Sequence, residues 1–144
     1  MESTTESAPI SKAALRAGRA ISGLVVLFMI FDGVTKVMKV PQVIDATIRI
    51  GFPVSTVVGV GITLLICVAL YVIPPTSVLG AILLTAYFGG ATAANIRAGS
   101  PLFNTAFSVS FGILTWLGLY LRERRLQALV PLRSWREDGL RPKA

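Results

Sequence analysis

Gly89-Gly90-Ala91-Thr92-Ala93-Ala94-Asn95-Ile96-Arg97-Ala98-Gly99-Ser100-Pro101 is where one long apolar run ends and the next begins. An amide and a guanidinium sit at the junction, and Ala98-Gly99-Ser100-Pro101 then has the chemistry of a tight reversal. Glycine stops a helix, Ser100 is a candidate cap, and Pro101 suits a first helical position. Two helices joined by so short a turn are antiparallel neighbours. The stretch reads as a helix leaving a membrane and turning back, with polar groups that must face a protein interior, a cavity or the interface.

Three further runs lie around it. The apolar residues concentrate in roughly 15–38, 54–73, 78–96 and 102–121. Each is close to the ~20 residues a helix needs to cross a ~30 Å hydrocarbon core. With 53% hydrophobic and 15% charged residues, and a mean hydropathy of +0.72, the 144-residue chain is too apolar for an ordinary small soluble domain. The fold class expected is all-α: an integral membrane four-helix bundle, residues 15–121, between a disordered segment, 1–14, and a basic tail, 122–144. Asp32 and Lys36 follow a short apolar stretch in the first run, which a cleaved signal peptide would partly resemble; no small-x-small cleavage site follows, so a retained helix is expected.

The links between runs carry their own signals. Around Pro41 to Phe52, Val40, Val43, Ile44, Ile48 and Gly51 recur at helical spacing, while Asp45 and Arg49 form an i, i+4 pair on another face. That pattern predicts a short amphipathic interfacial helix between helices 1 and 2. Ile73-Pro74-Pro75-Thr76 predicts a tight turn, with Thr76 or Ser77 capping the third spanning helix. Ala86, Gly90 and Ala94, and likewise Ser108 and Gly112, are four apart and allow close helix approach.

Four spans put both termini on one side. That side carries Lys12, Arg16, Arg19, Arg122, Arg124, Arg125, Arg133, Arg136, Arg141 and Lys143, ten basic residues against Lys36, Lys39, Arg49 and Arg97 on the other. The positive-inside rule makes the termini cytoplasmic. The net charge of +7 is then assigned to orientation and to anionic lipid headgroups, not to nucleic acid. Trp135 and Leu132 among Arg133 and Arg136 suit a tail on the leaflet.

The polar inventory limits the chemistry. Histidine is absent, which removes the commonest base near neutral pH and the commonest metal ligand, and no metal site is expected. The single cysteine, Cys67, forms no internal disulfide or Cys-x-x-Cys couple. In the line Thr63, Cys67, Tyr71 it is either a small core residue or part of a ligand wall. The bundle topology brings Asp32, Lys36, Asn95, Arg97, Asn104 and Thr105 to one end. Asp32 and Lys36 are an i, i+4 pair with Arg97 a candidate second cation, and Thr92 and Phe88 lie below Asn95 on its face. Such a cluster is either a polar clamp between the first and third spans or a polar cap over an apolar pocket for a lipophilic molecule.

Phe31-Asp32-Gly33-Val34-Thr35-Lys36, Gly51-Phe52-Pro53, Gly89 through Phe103, and Trp116-Leu117-Gly118-Leu119-Tyr120-Leu121-Arg122 together resemble the DoxX-like family of small bacterial four-helix membrane proteins, from about Arg19 to Arg133. Lys36, Asp32, Gly90, Arg97 and Pro101 match its pattern; Asn95 departs from it where relatives often carry histidine, and an amide does not titrate usefully. The resemblance implies a bacterial cytoplasmic membrane protein. It further implies an accessory or small-lipophile-binding subunit linked to a quinone-dependent oxidoreductase system, with a membrane oxidoreductase partner or a homo-oligomer. No cofactor is held by the chain itself on this reading; quinone or lipid is the ligand. The alternative is a membrane enzyme, an isomerase, cyclase or epoxide-opening catalyst, with Asp32 as acid/base and Lys36 or Arg97 tuning it. A transporter is disfavoured by the absence of inverted repeats or a second broken helix. Ligand-binding candidates are Asn95, Arg97, Thr92, Asn104, Tyr71 and Cys67; whether a reaction is catalysed is left open.

Overall fold

The computed structural model describes residues 11–129. Within them the chain is helical, without strands: α1 (Lys12–Val37), α2 (Pro41–Arg49), α3 (Thr56–Val72), α4 (Ser77–Arg97), α5 (Leu102–Arg122) and α6 (Arg124–Leu129), with a 3₁₀ turn at Pro74–Thr76. The helices α1 and α5, and α4 together with the turn before it, are each long and apolar enough to span a membrane; α3, at 17 residues, is apolar but shorter. At 1.5 Å per residue α3 is about 25 Å long, a little under the hydrocarbon thickness. The protein is a multi-pass membrane four-helix bundle with a short interfacial helix, α2, after its first span.

The four long helices form a ring. α1 packs on α3 and α5, and α4 packs on the same two, so α1 and α4 face each other across one diagonal and α3 and α5 across the other. Val25, Leu64, Tyr71, Leu84, Leu119 and Thr115 fill the centre and are fully buried. The lipid-facing surface is correspondingly apolar, with Leu27, Phe31, Ile66, Ile82 and Ile113 exposed. Such a surface fits hydrocarbon and would be unstable in water. Glycines set the closest crossings: a Cβ on Gly61 of α3 would lie 2.9 Å from the Gly33 carbonyl oxygen of α1. A Cβ on Gly80 would come closer still to the backbone of Tyr71, so the α3–α4 hairpin closes only with glycine there.

Helix ends at the pole away from the termini share one device. After α4, the Gly99 N–H donates to the Ile96 carbonyl and the Ser100 N–H to the Asn95 carbonyl, with Gly99 at φ 63°, a Schellman closure. The same pair of bonds closes α2 around Gly51 and α1 around Lys39, where a side-chain-bearing residue takes φ 54°. Ser100 is therefore part of the stop of α4; the cap position of α5 is Pro101, which has no side-chain cap bond. Thr76 likewise serves the helix before it, its hydroxyl donating to the carbonyls of Leu70 (2.8 Å) and Ile73 (3.3 Å).

α2 buries none of its residues. Val43, Ile44 and Thr47 are half-buried and Ile48 is exposed, as expected of a helix lying in an interface. Asp45 and Arg49 share that helix without forming an ion pair. α6 lies at the start of the expected basic tail and turns back on the bundle, with Leu126 buried and Gln127 Nε2 donating to the Tyr120 carbonyl at 2.6 Å. The expected disordered segment lies mostly, and Leu132, Arg133, Trp135, Arg136, Arg141 and Lys143 lie entirely, outside the described residues.

Candidate functional site

The polar centre of the bundle is built on Asp32. Lys36, one turn on in α1, donates to Asp32 Oδ1 at 2.5 Å, and the Tyr87 phenol of α4 donates to Oδ2 at 2.9 Å. The Asp32 side chain is 26% exposed and that of Lys36 14%. A carboxylate in so dry a setting is stable only when its charge and both oxygens are answered. Here the ammonium supplies the charge and the phenol the second hydrogen bond. Both ionic groups sit beside the Gly33–Gly61 crossing, and Lys36 Cβ lies 2.8 Å from where a Gly61 Cβ would be.

Arg97 is not the second cation of this cluster. Its Nη2 donates to the Ile50 carbonyl at the end of α2, at 3.4 Å, and packs on Gly51. The tight closure of α1 around Lys39 leads the chain directly into α2, whose end takes up the guanidinium. Asn95 is separate too: its Nδ2 donates to the Ala91 carbonyl of its own helix at 2.9 Å. Asp32 and Lys36 thus come together as the sequence indicates, while their third member, Tyr87, was hidden in an apolar run. An aromatic mid-helix reads as core. The available signal was that a phenol inside a membrane needs a partner, and Asp32 lies on the helix that runs parallel to its own.

Two grooves flank the centre. One, of about 380 Å³ between α3 and α4, is lined by Thr56, Gly59, Val60, Thr63 and Tyr87. Tyr87 therefore links this groove to the Asp32 carboxylate. Of the line Thr63, Cys67, Tyr71, only Thr63 faces it; Cys67 and Tyr71 are in the core. Tyr71 is a knot near the terminal pole. Its hydroxyl donates to the Thr115 carbonyl at 2.9 Å, leaving Ser22 Oγ, 3.0 Å away, to donate to the phenol oxygen. Arg122 donates to the Tyr71 carbonyl at 2.8 Å and places its guanidinium carbon 4.7 Å from the ring centre.

The larger groove, about 960 Å³, runs between α4 and α5. Phe88, Gly89, Thr92 and Ile96 form one wall; Ser108, Val109, Gly112, Ile113 and Trp116 form the other, with Tyr120 and Leu126 at the terminal end. Its volume suits a drug-sized ligand, and its lining is apolar with a few polar atoms. Trp116 Nε1 is already used on Thr85 Oγ1 at 2.7 Å, and Ser108 Oγ on the Asn104 carbonyl at 3.2 Å. Thr92 offers a hydroxyl in the wall, and Asn104, exposed, lies one turn beyond Ser108. The candidates named from sequence are thereby divided: Thr92 lines this groove, Asn104 borders it, and Asn95, Arg97, Cys67 and Tyr71 do not.

No curated protein and no solved structure matches the chain. The model of the DoxX-like family matches residues 20–118, which contain the Asp32 cluster and all but the terminal end of the larger groove. The chain belongs to the DoxX-like family.

Proposed function

We propose that this protein is an accessory subunit of the bacterial cytoplasmic membrane, with both termini cytoplasmic, that binds a small lipophilic molecule in the α4–α5 groove. The single observation carrying this reading is the groove itself. It is large, apolar and walled by Phe88 and Trp116; Thr92 can orient a carbonyl or hydroxyl, and Ser108, its proton given to Asn104, can accept from a hydroxyl. A quinone or a lipid has the required form, a polar ring or head on a long apolar tail, and a quinone-dependent oxidoreductase is the kind of partner such a subunit would serve.

Native mass spectrometry of protein purified from its own membranes tests this. A lipophilic adduct of defined mass is expected, lost in Gly89→Leu, because Gly89 lines the groove and a Cβ there meets nothing within 4 Å beyond its own stretch of helix. Adducts identical in the two proteins would place the ligand elsewhere and overturn the assignment.

The Asp32 cluster supports a second reading, a membrane enzyme acting on a lipophilic substrate. Asp32, paired with Lys36, would accept a proton, and Tyr87, which reaches the α3–α4 groove, would relay it. Conversion of lipophilic epoxides or enones by vesicles carrying the protein, abolished in Asp32→Asn, would support it; the same conversion in the variant excludes it.

A further inference from the structure

The pole away from the termini has a charge pattern that neither groove uses. Lys36 is neutralised by Asp32, which leaves Lys39, Arg49 and Arg97 against Asp45, a local excess of two positive charges. Two of these cations share a corner. Arg97 ends α4 and reaches across to the Ile50 carbonyl, and Ile50 directly follows Arg49, the last residue of α2. One of the five N–H groups of Arg97 is spent on that carbonyl; the other four remain for a ligand. The residues next to these cations in the chain include exposed apolar side chains: Ile96 is 65% exposed, Ile48 52% and Phe52 41%. Cations beside exposed aliphatic and aromatic groups, at the end of a spanning helix and on a helix with no buried residue, mark the level of lipid headgroups.

We infer that Arg49 and Arg97 form a site for the phosphate of an anionic phospholipid, with Ile48, Phe52 and Ile96 against its acyl chains. A guanidinium is the group best matched to phosphate oxygens, and two of them on one corner hold a diester from two sides. The ends of α2 and α4 oppose an anion, each with a partial charge of about −0.5. Two full positive charges exceed that sum, so the corner stays attractive. A lipid is favoured over a soluble anion because the corner's other surface is apolar.

The test uses the full chain in micelles with equimolar phosphatidylglycerol and phosphatidylcholine, read by native mass spectrometry. Retention of phosphatidylglycerol over phosphatidylcholine is expected, falling about fivefold in R49Q and again in R49Q/R97Q. R49Q removes an exposed side chain and so keeps the test decisive if R97Q loosens α2 from α4. The pair R124Q/R125Q removes equal charge at the other pole and is expected to change retention less. Equal retention of the two lipids, an unchanged R49Q, or equal losses in both pairs of variants overturns the site. Release of the lipid by millimolar inorganic phosphate overturns its assignment to a lipid.

Discussion

The Tyr87 hydroxyl donates to Asp32 across the diagonal of the bundle, the one side-chain hydrogen bond between α1 and α4 among the described residues. The other diagonal is also tied by a tyrosine, since Tyr71 of α3 donates to the Thr115 carbonyl of α5 and receives Arg122 on its own carbonyl. Neighbouring helices in the ring pack directly on one another, with Trp116–Thr85 and Ser22–Tyr71 hydrogen bonds added between two of the pairs, whereas these ties join the pairs that packing leaves apart. In lipid, where apolar burial contributes little to helix association, such hydrogen bonds carry a larger share of specificity.

Tyr87→Phe leaves Asp32 Oδ2 without its donor and is expected to destabilise the bundle by about 1.5–3 kcal/mol, the range for a hydrogen bond to a charged group. Asp32→Ala removes the acceptor and strands Lys36, and should cost more, about 3–5 kcal/mol. Asp32→Leu combined with Lys36→Met removes both charges and should be less damaging than Asp32→Ala alone. Thermal unfolding in detergent checks the order; a double variant as unstable as the sum of its singles would show that the two charges do not act as a pair.

Tyr71→Phe separates the second tie from the first. The phenol is fully buried and serves both Ser22 and Thr115, so its loss removes two hydrogen bonds and should lower stability by about 1–3 kcal/mol. Lipophile binding in the α4–α5 groove should be retained, because Tyr71 is not part of that lining. A variant of full stability would mean that the knot is dispensable.

Much of this architecture was legible beforehand, for physical reasons. Apolar runs and Gly-Ser-Pro or Pro-Pro breaks specify spans and turns locally, and Asp32 with Lys36 is a pair that helical spacing alone defines. What depends on rotation of one helix against another was not legible. Tyr87 meeting Asp32, Tyr71 meeting Ser22 and Thr115, and Arg97 turning to α2 are all set by how the ring closes at Gly33, Gly61 and Gly80. Thr92 and Asn95, three residues apart, lie only about 60° apart around α4, yet one lines the groove while the other turns its amide back on the Ala91 carbonyl, a side-chain choice that helical spacing does not fix.

Gly89→Leu and Gly112→Ala probe the larger groove at unequal depth. Both glycines line it, but a Cβ at Gly112 meets Phe88 at 3.9 Å, an ordinary contact, whereas one at Gly89 meets nothing. Gly112→Ala should therefore leave the bundle intact and trim the groove slightly, and Gly89→Leu should occupy it. Each change also removes a helix-interior glycine, worth about 1 kcal/mol in the helix's favour. The expected result is unchanged or raised thermal stability in both, with ligand retention lost only in Gly89→Leu; loss of folding in Gly89→Leu would show that the groove wall is packed in a way the structure does not place.

Lys39 closes α1 at φ 54°, where Gly51 and Gly99 close the neighbouring helices. A residue with a Cβ costs about 1–2 kcal/mol in that conformation, and glycine loses about 0.5–1 kcal/mol of chain entropy on folding. The difference favours glycine by about 0–1.5 kcal/mol by those two terms. Lys39→Gly is accordingly expected to raise the unfolding midpoint in detergent, while Lys39→Ala, which retains the Cβ, should leave it unchanged. The two variants remove the same positive charge, so a rise in both would assign the effect to charge at the end of α1 and not to its backbone.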